Sequence, residues 1–417
     1  MNIHLVRKIM KKISRLDAHY IALFCSIFFG TSCLGSYLSA YLLNLGFTNT
    51  FIGTTLACGS ILGIVIQPFV ASIADRMKNM SLRTLLTILY SISCTLVFII
   101  WMVPKVFPDH AIIPTAVLFI ILNSISGAEG SLVNSLGMEH NYGGKGINFS
   151  LARGCGSFAY AISCLTVGFM VDGVGTGFML PAHLTFRIIT LIIISTFPRP
   201  AEDSSSDGGN NNSDSERAAS LLQFFKNNKR FVLVVLCIVL VYSHIAILNS
   251  FAVQLIDFVG GSEAQVGITI FIASFLELPA MAMFPVILRR VGSVSKIVLF
   301  ACAMMTIKAF IAGFAPSVEW IYVAQIFQCG SFALLFPAGV YYVNRFVPRK
   351  DKVKGQSFMN MTLTISGVIV SLFGGRVIDT VGIGILSKVA AGLTLIGTIV
   401  LLFIIHKDNT PPEKKQA

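Results

Sequence analysis

Apolar residues in this chain come in long runs with few polar interruptions. VLFACAMMTIKAFIAGFA, LARGCGSFAYAISCLTVGFM and FIASFLELPAMAMF are examples. A helix needs about 20 such residues to cross some 30 Å of hydrocarbon. Twelve segments meet that need, near 19–43, 50–74, 82–104, 111–137, 148–171, 178–197, 230–255, 264–288, 295–315, 318–343, 355–377 and 383–406. Between the sixth and seventh lies AEDSSSDGGNNNSDSERAAS, a polar, small-residue stretch that predicts a flexible linker. The pattern predicts an all-α membrane protein of twelve transmembrane helices. It is expected to form a six-helix bundle over 1–197, a linker over 198–229 and a second bundle over 230–417. A weak repeat supports two pseudo-symmetric halves: Gly168-Phe-Met-Val-Asp172-Gly-Val-Gly175 matches Gly375-Arg-Val-Ile-Asp379-Thr-Val-Gly382. Duplicated halves of this kind place a solute site near the bilayer midplane.

Composition agrees with that pattern. The 417 residues are 55% hydrophobic and 12% charged, where a soluble domain carries about 25% charged residues. The net charge of +12 would suggest nucleic acid in a soluble protein. Here the basic residues gather in alternate short loops, such as Arg76-Met-Lys78 and Arg289-Arg290, so they read as orientation signals with both termini cytoplasmic. No nucleic-acid motif accompanies them. The basic N-terminus leads into a run too long for a signal peptide and without a cleavage site, so it is expected to remain as the first span. The nine cysteines all sit in apolar stretches, with no CxxC and no Cys/His cluster. They read as small hydrophobes, and neither a metal nor a cofactor is expected.

The informative residues are the charges inside the spans. Lys308, Arg153 and Glu277 each lie in an apolar run. A charge at that depth costs at least ~2.5–3.5 kcal/mol, and it is usually kept for binding or for moving an ion. For Arg153 two readings stand: a side chain snorkelling to the interface, or a planar fork that donates to a polyol or an anion. Glu277 and Lys308 read either as a structural ion pair or as a proton or substrate site whose charge changes during work. Gln328 and Ser331 are one turn apart and share a face, as helix–helix glue or as site lining. The same two readings apply to Tyr37, Asn123 and Asn134. Asp75-Arg76 at the end of the second span is a solvated loop pair or a gate latch. Glu129, in Ser-Gly-Ala-Glu-Gly, is a second embedded acid or the mark of a wet break. No catalytic triad, metal cluster or phosphate-binding loop is present in the sequence, so an enzyme is not expected.

Gln67-Pro68-Phe-Val-Ala71-Ser-Ile-Ala74-Asp75-Arg76-Met-Lys78 resembles the loop signature of the major facilitator superfamily, with Ala71 and Lys78-Asn79 departing from its glycines. Asn148-Phe-Ser-Leu-Ala-Arg153-Gly-Cys-Gly-Ser157-Phe-Ala-Tyr160 resembles the fifth span of lactose-permease-like oligosaccharide:proton symporters, as do Gly35-Ser-Tyr37 and Gln67-Pro68. The resemblance implies that Arg153 forks onto sugar hydroxyls, that Tyr160 stacks on the ring and that Ser157 lines the same face. It also makes Glu277 an acidic sugar ligand and puts Lys308 in place of an arginine near the proton site. Gln328 and Ser331 take the places of the family's histidine and proton-carrying glutamate. Two departures follow: Asn134 is an amide where a carboxylate pairs with the arginine, and the proton-carrying carboxylate is replaced.

The expectation is an alternating-access transporter for a small polar solute (sugar, glycoside or nucleoside), working as a monomer in the bilayer. It would be coupled to protons through Glu277, Lys308 and Gln328, and gated at Asp75 and Arg76. The substrate would be held by Tyr37, Asn134, Arg153, Ser157, Tyr160 and Glu277. The alternatives are uniport, efflux of amphipathic compounds, and a membrane sensor without flux.

Overall fold

The computed structural model describes residues 14–76, 81–139, 147, 149–198 and 223–406. Among them are twelve helices long and apolar enough to cross a membrane. They are α1 Arg15–Gly35, α2 Asn49–Val70, α3 Leu82–Val106, α4 Ile112–Gly137, α5 Leu151–Val174, α6 Thr176–Ser195, α7 Lys229–Phe258, α8 Glu263–Val291, α9 Val294–Gly313, α10 Val318–Phe346, α11 Lys354–Val381 and α12 Ile383–Ile405. A helix meets its own backbone hydrogen bonds, which hydrocarbon cannot do for it. Large apolar side chains project outward along the spans: Phe69, Ile113 and Phe403 are 66–70% exposed. Such surfaces are stable against lipid and a liability in water.

Contacts divide the chain into two units, Met1–Ser206 with Ser262–Ser274, and Asp207–Gly261 with Phe275–Ala417. The expected boundary therefore shifts, because the first part of α8 groups with the first unit. In that unit Tyr20, Leu23 and Phe24 of α1 pack with Leu86 and Tyr90 of α3 and Leu132, Val133 and Leu136 of α4. The Tyr20 hydroxyl donates to the Val133 carbonyl at 3.0 Å. In the second unit Val234 and Ile238 of α7, Val298 and Met305 of α9, and Leu335 and Ala338 of α10 form the core.

Three sequence expectations need correction. The linker does not extend to 229: residues 223–227 are helical, and Phe224 is buried in the second unit's core, stacked on Phe358 at 5.5 Å. Asn228 then donates to the Asp351 carboxylate at 3.3 Å. The aromatic anchors are what composition alone hides. The remainder of the predicted linker, 199–222, lies outside the described residues.

The first span is not continuous. α1 stops at Gly35, and a short helix, Leu38–Asn44, resumes after Ser36 and Tyr37. Both residues at the break are tied to α5: the Ser36 and Tyr160 hydroxyls are 2.9 Å apart, and the Tyr37 hydroxyl donates to the Cys164 carbonyl at 2.8 Å.

The tenth span is also broken. Its first helix ends at Ile326, a single 3₁₀ turn covers Phe327–Cys329, and Ser331 (φ −100°, ψ −97°) precedes the second helix. Prolines do not mark these breaks. Pro68, Pro104, Pro279, Pro285 and Pro337 all lie inside helices that continue past them.

The internal repeat is visible in the backbone. Gly175 and Gly382, its last residues, have φ of +85° and +89°. Each follows a helix and has a positive φ that a side chain would disfavour. Each donates its N–H to the carbonyl four residues earlier, Val171 and Ile378 respectively.

Candidate functional site

The broken tenth span positions the first polar cluster, which lies in the second unit. Where α10 tightens into its 3₁₀ turn, Gln328 is turned inward and buried. Its amide oxygen accepts from the Lys308 ammonium of α9, and its amide nitrogen donates to the Glu277 carboxylate of α8. Lys308 is 1% exposed, so its charge has little access to solvent. An ammonium carries three donors and no acceptor, a carboxylate only acceptors, and a primary amide both. Gln328 is thus the one group of the three able to face both ends. Glu277 and Lys308, which the sequence reads as an ion pair or as a proton or substrate site, are joined here through this amide.

The second unit also holds buried groups with unmet hydrogen-bonding capacity. Both ring nitrogens of His244, the Gln325 amide and the Ser331 hydroxyl are without hydrogen-bond partners. His244 is fully buried on α7. Buried polar groups are nearly always satisfied, and exceptions cluster at working sites.

The second cluster lies in the first unit and centres on Arg187 of α6. Its Nη1 donates to both Glu129 carboxylate oxygens at 3.0 Å, its Nη2 to Ser126 Oγ at 3.0 Å and its Nε to His183 Nε2 at 3.0 Å. Ser93 of α3 also donates to Glu129. His183 Nδ1 lies 2.6 Å from the Gly30 carbonyl. An arginine can only donate, so His183 Nε2 must offer its lone pair and Nδ1 must carry the proton. The imidazole is neutral and its tautomer is fixed. The guanidinium also lies 5.4 Å from the Tyr90 ring centroid. Ser126, Glu129 and Arg187 line a cavity of about 200 Å³ between α1, α2, α3, α4 and α6.

The residues expected to hold substrate are distributed as follows. Arg153 is exposed on α5, with its guanidinium 4.7 Å from the Phe28 ring centroid. Asn134 is exposed on α4, and Ser157 and Tyr160 are half-buried on α5. Tyr37 is fully buried, its hydroxyl engaged by the Cys164 carbonyl, so in this conformation it serves the α1–α5 contact and presents no open surface to a solute. Asp75 and Arg76 close the helix that begins at Asn49, and their side chains lie outside the described residues. Glu277, Lys308 and Gln328 are brought together.

The family model described as the MFS_1 like family, where MFS abbreviates major facilitator superfamily, matches residues 13–389. The chain belongs to that family. It is a multi-pass membrane protein with a transporter's fold. Among curated proteins it is similar to a maltose permease of Geobacillus stearothermophilus, 22% identical over 302 residues that cover 72% of this chain and 73% of that one. Among solved structures it is similar to a point mutant of the nucleoside transporter NupG, with a TM-score of 0.77, 17% identity, and coverage of 94% of this chain and 100% of that one. A D-xylose-proton symporter matches with a TM-score of 0.69, 13% identity, and coverage of 93% and 96%.

Arg187 and His183 are not among the residues singled out by sequence. Their signals were present: a basic residue inside the sixth span, a histidine four positions earlier on the same face, and an embedded acid, Glu129, in the same half. Arg187 lies 58 residues from its partner, so spacing alone does not join them.

Proposed function

We propose that this protein is a secondary transporter that moves a small neutral polyhydroxylated solute, a sugar or a nucleoside, by alternating access in symport with protons. The observation that carries the proposal is the Lys308–Gln328–Glu277 chain at the break in α10. Ionised, Glu277 accepts from the Gln328 amide. Protonated, it loses its charge and becomes a weaker acceptor, so the amide is freed to turn and Lys308 loses a fixed partner. A change of one proton is thereby converted into a change of hydrogen bonding where α10 has no continuous helix to resist it.

The solute class is supported by the relatives' names: a maltose permease, a nucleoside transporter and a xylose–proton symporter. Arg153, Asn134, Ser157 and Tyr160 are the polar positions of the first unit assigned here to the solute, with Asp75 and Arg76 as a latch at the cytoplasmic end. The alternating basic loops support a cell-membrane protein with both termini cytoplasmic. Uniport is the second reading, favoured by Ser331, a hydroxyl where the resemblance implies a proton-carrying carboxylate.

Uptake of labelled sugars and nucleosides into proteoliposomes, with and without an imposed pH gradient, tests the proposal. Gradient-driven accumulation of at least one solute is expected. Equilibration without accumulation for every transported solute would select uniport.

A further inference from the structure

Coupling through Gln328 leaves the first unit's cavity of about 200 Å³ unused. Its polar floor is Glu129, Ser126 and Arg187, its rim carries Thr31 and Asn123, and Leu34 and Phe119 form an apolar wall. We propose that this cavity is a binding subsite for one ring of a neutral polyol, a pentose or hexose, and that it restricts the substrate to a single ring. The inference rests on the solute-transport reading and names its substrate class.

Charge comes first. Arg187 and Glu129 are in contact at 3.0 Å and cancel, and His183 is held neutral by its two partners. An ionic solute would lose its hydration and meet no net opposite charge, which is costly in a buried site. A neutral solute does not bear that cost.

Hydrogen-bonding capacity is mixed in the way a hydroxyl requires. Thr31 donates to the Ile27 carbonyl, which leaves its oxygen lone pairs available, while Ser126, which donates to the Leu122 carbonyl and accepts from Arg187, keeps one. The exposed Asn123 amide offers both a donor and an acceptor. A sugar hydroxyl is itself both, and the apolar wall suits the C–H face of its ring.

Volume selects the size. A cavity of about 150 Å³ holds a benzene ring. The somewhat larger cavity here leaves room for a six-membered ring with its hydroxyls.

The test uses Gly130, which lines the cavity. A Cβ there would meet nothing within 4 Å, so Gly130→Leu projects into open space. Gly173→Leu is the control, equally unobstructed and away from the cavity. Binding of D-glucose, D-xylose and maltose to the detergent-purified full-length protein is measured by calorimetry. At least one single-ring sugar is expected to bind about 10-fold more tightly than maltose, a difference of about 1.4 kcal/mol. Gly130→Leu should weaken that binding by about 10-fold or more, with Gly173→Leu within about twofold of the parent. Asn123→Ala, a rim change independent of the plug, should weaken it as well.

Single-ring binding that ignores both Gly130→Leu and Asn123→Ala would overturn the subsite while leaving the transport reading intact. Tighter binding of maltose would overturn the size limit. Binding of none of the three sugars would overturn the polyol class and the subsite with it.

Discussion

The two units meet the same problem, a cation buried among apolar helices, in different ways. In the first, Arg187 reaches Glu129 directly and spreads its donors over the carboxylate, Ser126 and His183. In the second, Lys308 is linked to Glu277 through Gln328. A guanidinium fork held on three sides has no alternative arrangement nearby. An ammonium linked through one rotatable amide does. The first network is suited to holding a fixed, neutral surface, the second to changing state. That contrast also separates the two roles assigned here, binding to the first unit and coupling to the second.

The largest effect should come from breaking the direct pair. Arg187→Ala or Glu129→Ala leaves an uncompensated buried charge and should destabilise the protein by about 3–5 kcal/mol. Thermal unfolding in detergent reads this out. The double change Glu129→Leu with Arg187→Leu should recover most of the loss, since no charge is then left alone. If the double variant were as unstable as the single ones, the pair's charge would not be what the fold depends on.

Severing the bridge should cost less. Gln328→Leu removes both hydrogen bonds and should lower stability by about 1–3 kcal/mol, while abolishing gradient-driven accumulation. Retained accumulation would show that the amide is not needed for coupling.

Close packing between α1 and α4 gives an intermediate effect unrelated to either network. A Cβ at Gly137 would collide with the Tyr20 hydroxyl. Gly137→Ala should therefore cost about 1–3 kcal/mol by overpacking, and Tyr20→Phe should relieve part of it by removing the nearest of the colliding atoms. The smallest stability effect belongs to Arg153→Lys. An exposed cation over one ring is worth about 0.5–1 kcal/mol, yet solute transport should fall sharply, because an ammonium cannot reproduce the guanidinium's fork. Full activity in Arg153→Lys would return that residue to the snorkelling reading.

Much of this was legible from residues alone. The spans were, because about 20 apolar residues have few alternatives to a membrane helix. Lys308 and Glu277 stand out because charge at depth is costly unless used, and Gln328 through the family resemblance, though spacing does not show that the amide stands between the charges. The breaks at Ser36–Tyr37 and Phe327–Ser331 were not legible. Neither is made by a proline, and the first is held by hydrogen bonds to Tyr160 and Cys164, more than 120 positions away. Arg187 was missed for a related reason. A count of charges in loops assigns orientation and passes over a base inside a span, and the 58 residues to Glu129 hide the pairing. The end of the linker is not legible because two phenylalanines in a polar neighbourhood, Phe224 and Phe225, look soluble until Phe358 is brought against them.

Division of labour between the two networks is tested most directly by one pair of assays on Glu277→Gln in proteoliposomes: accumulation of the transported sugar under an imposed pH gradient, and exchange of labelled for unlabelled sugar without one. The account predicts that accumulation is lost and exchange persists. Accumulation at the parent level in Glu277→Gln would contradict it.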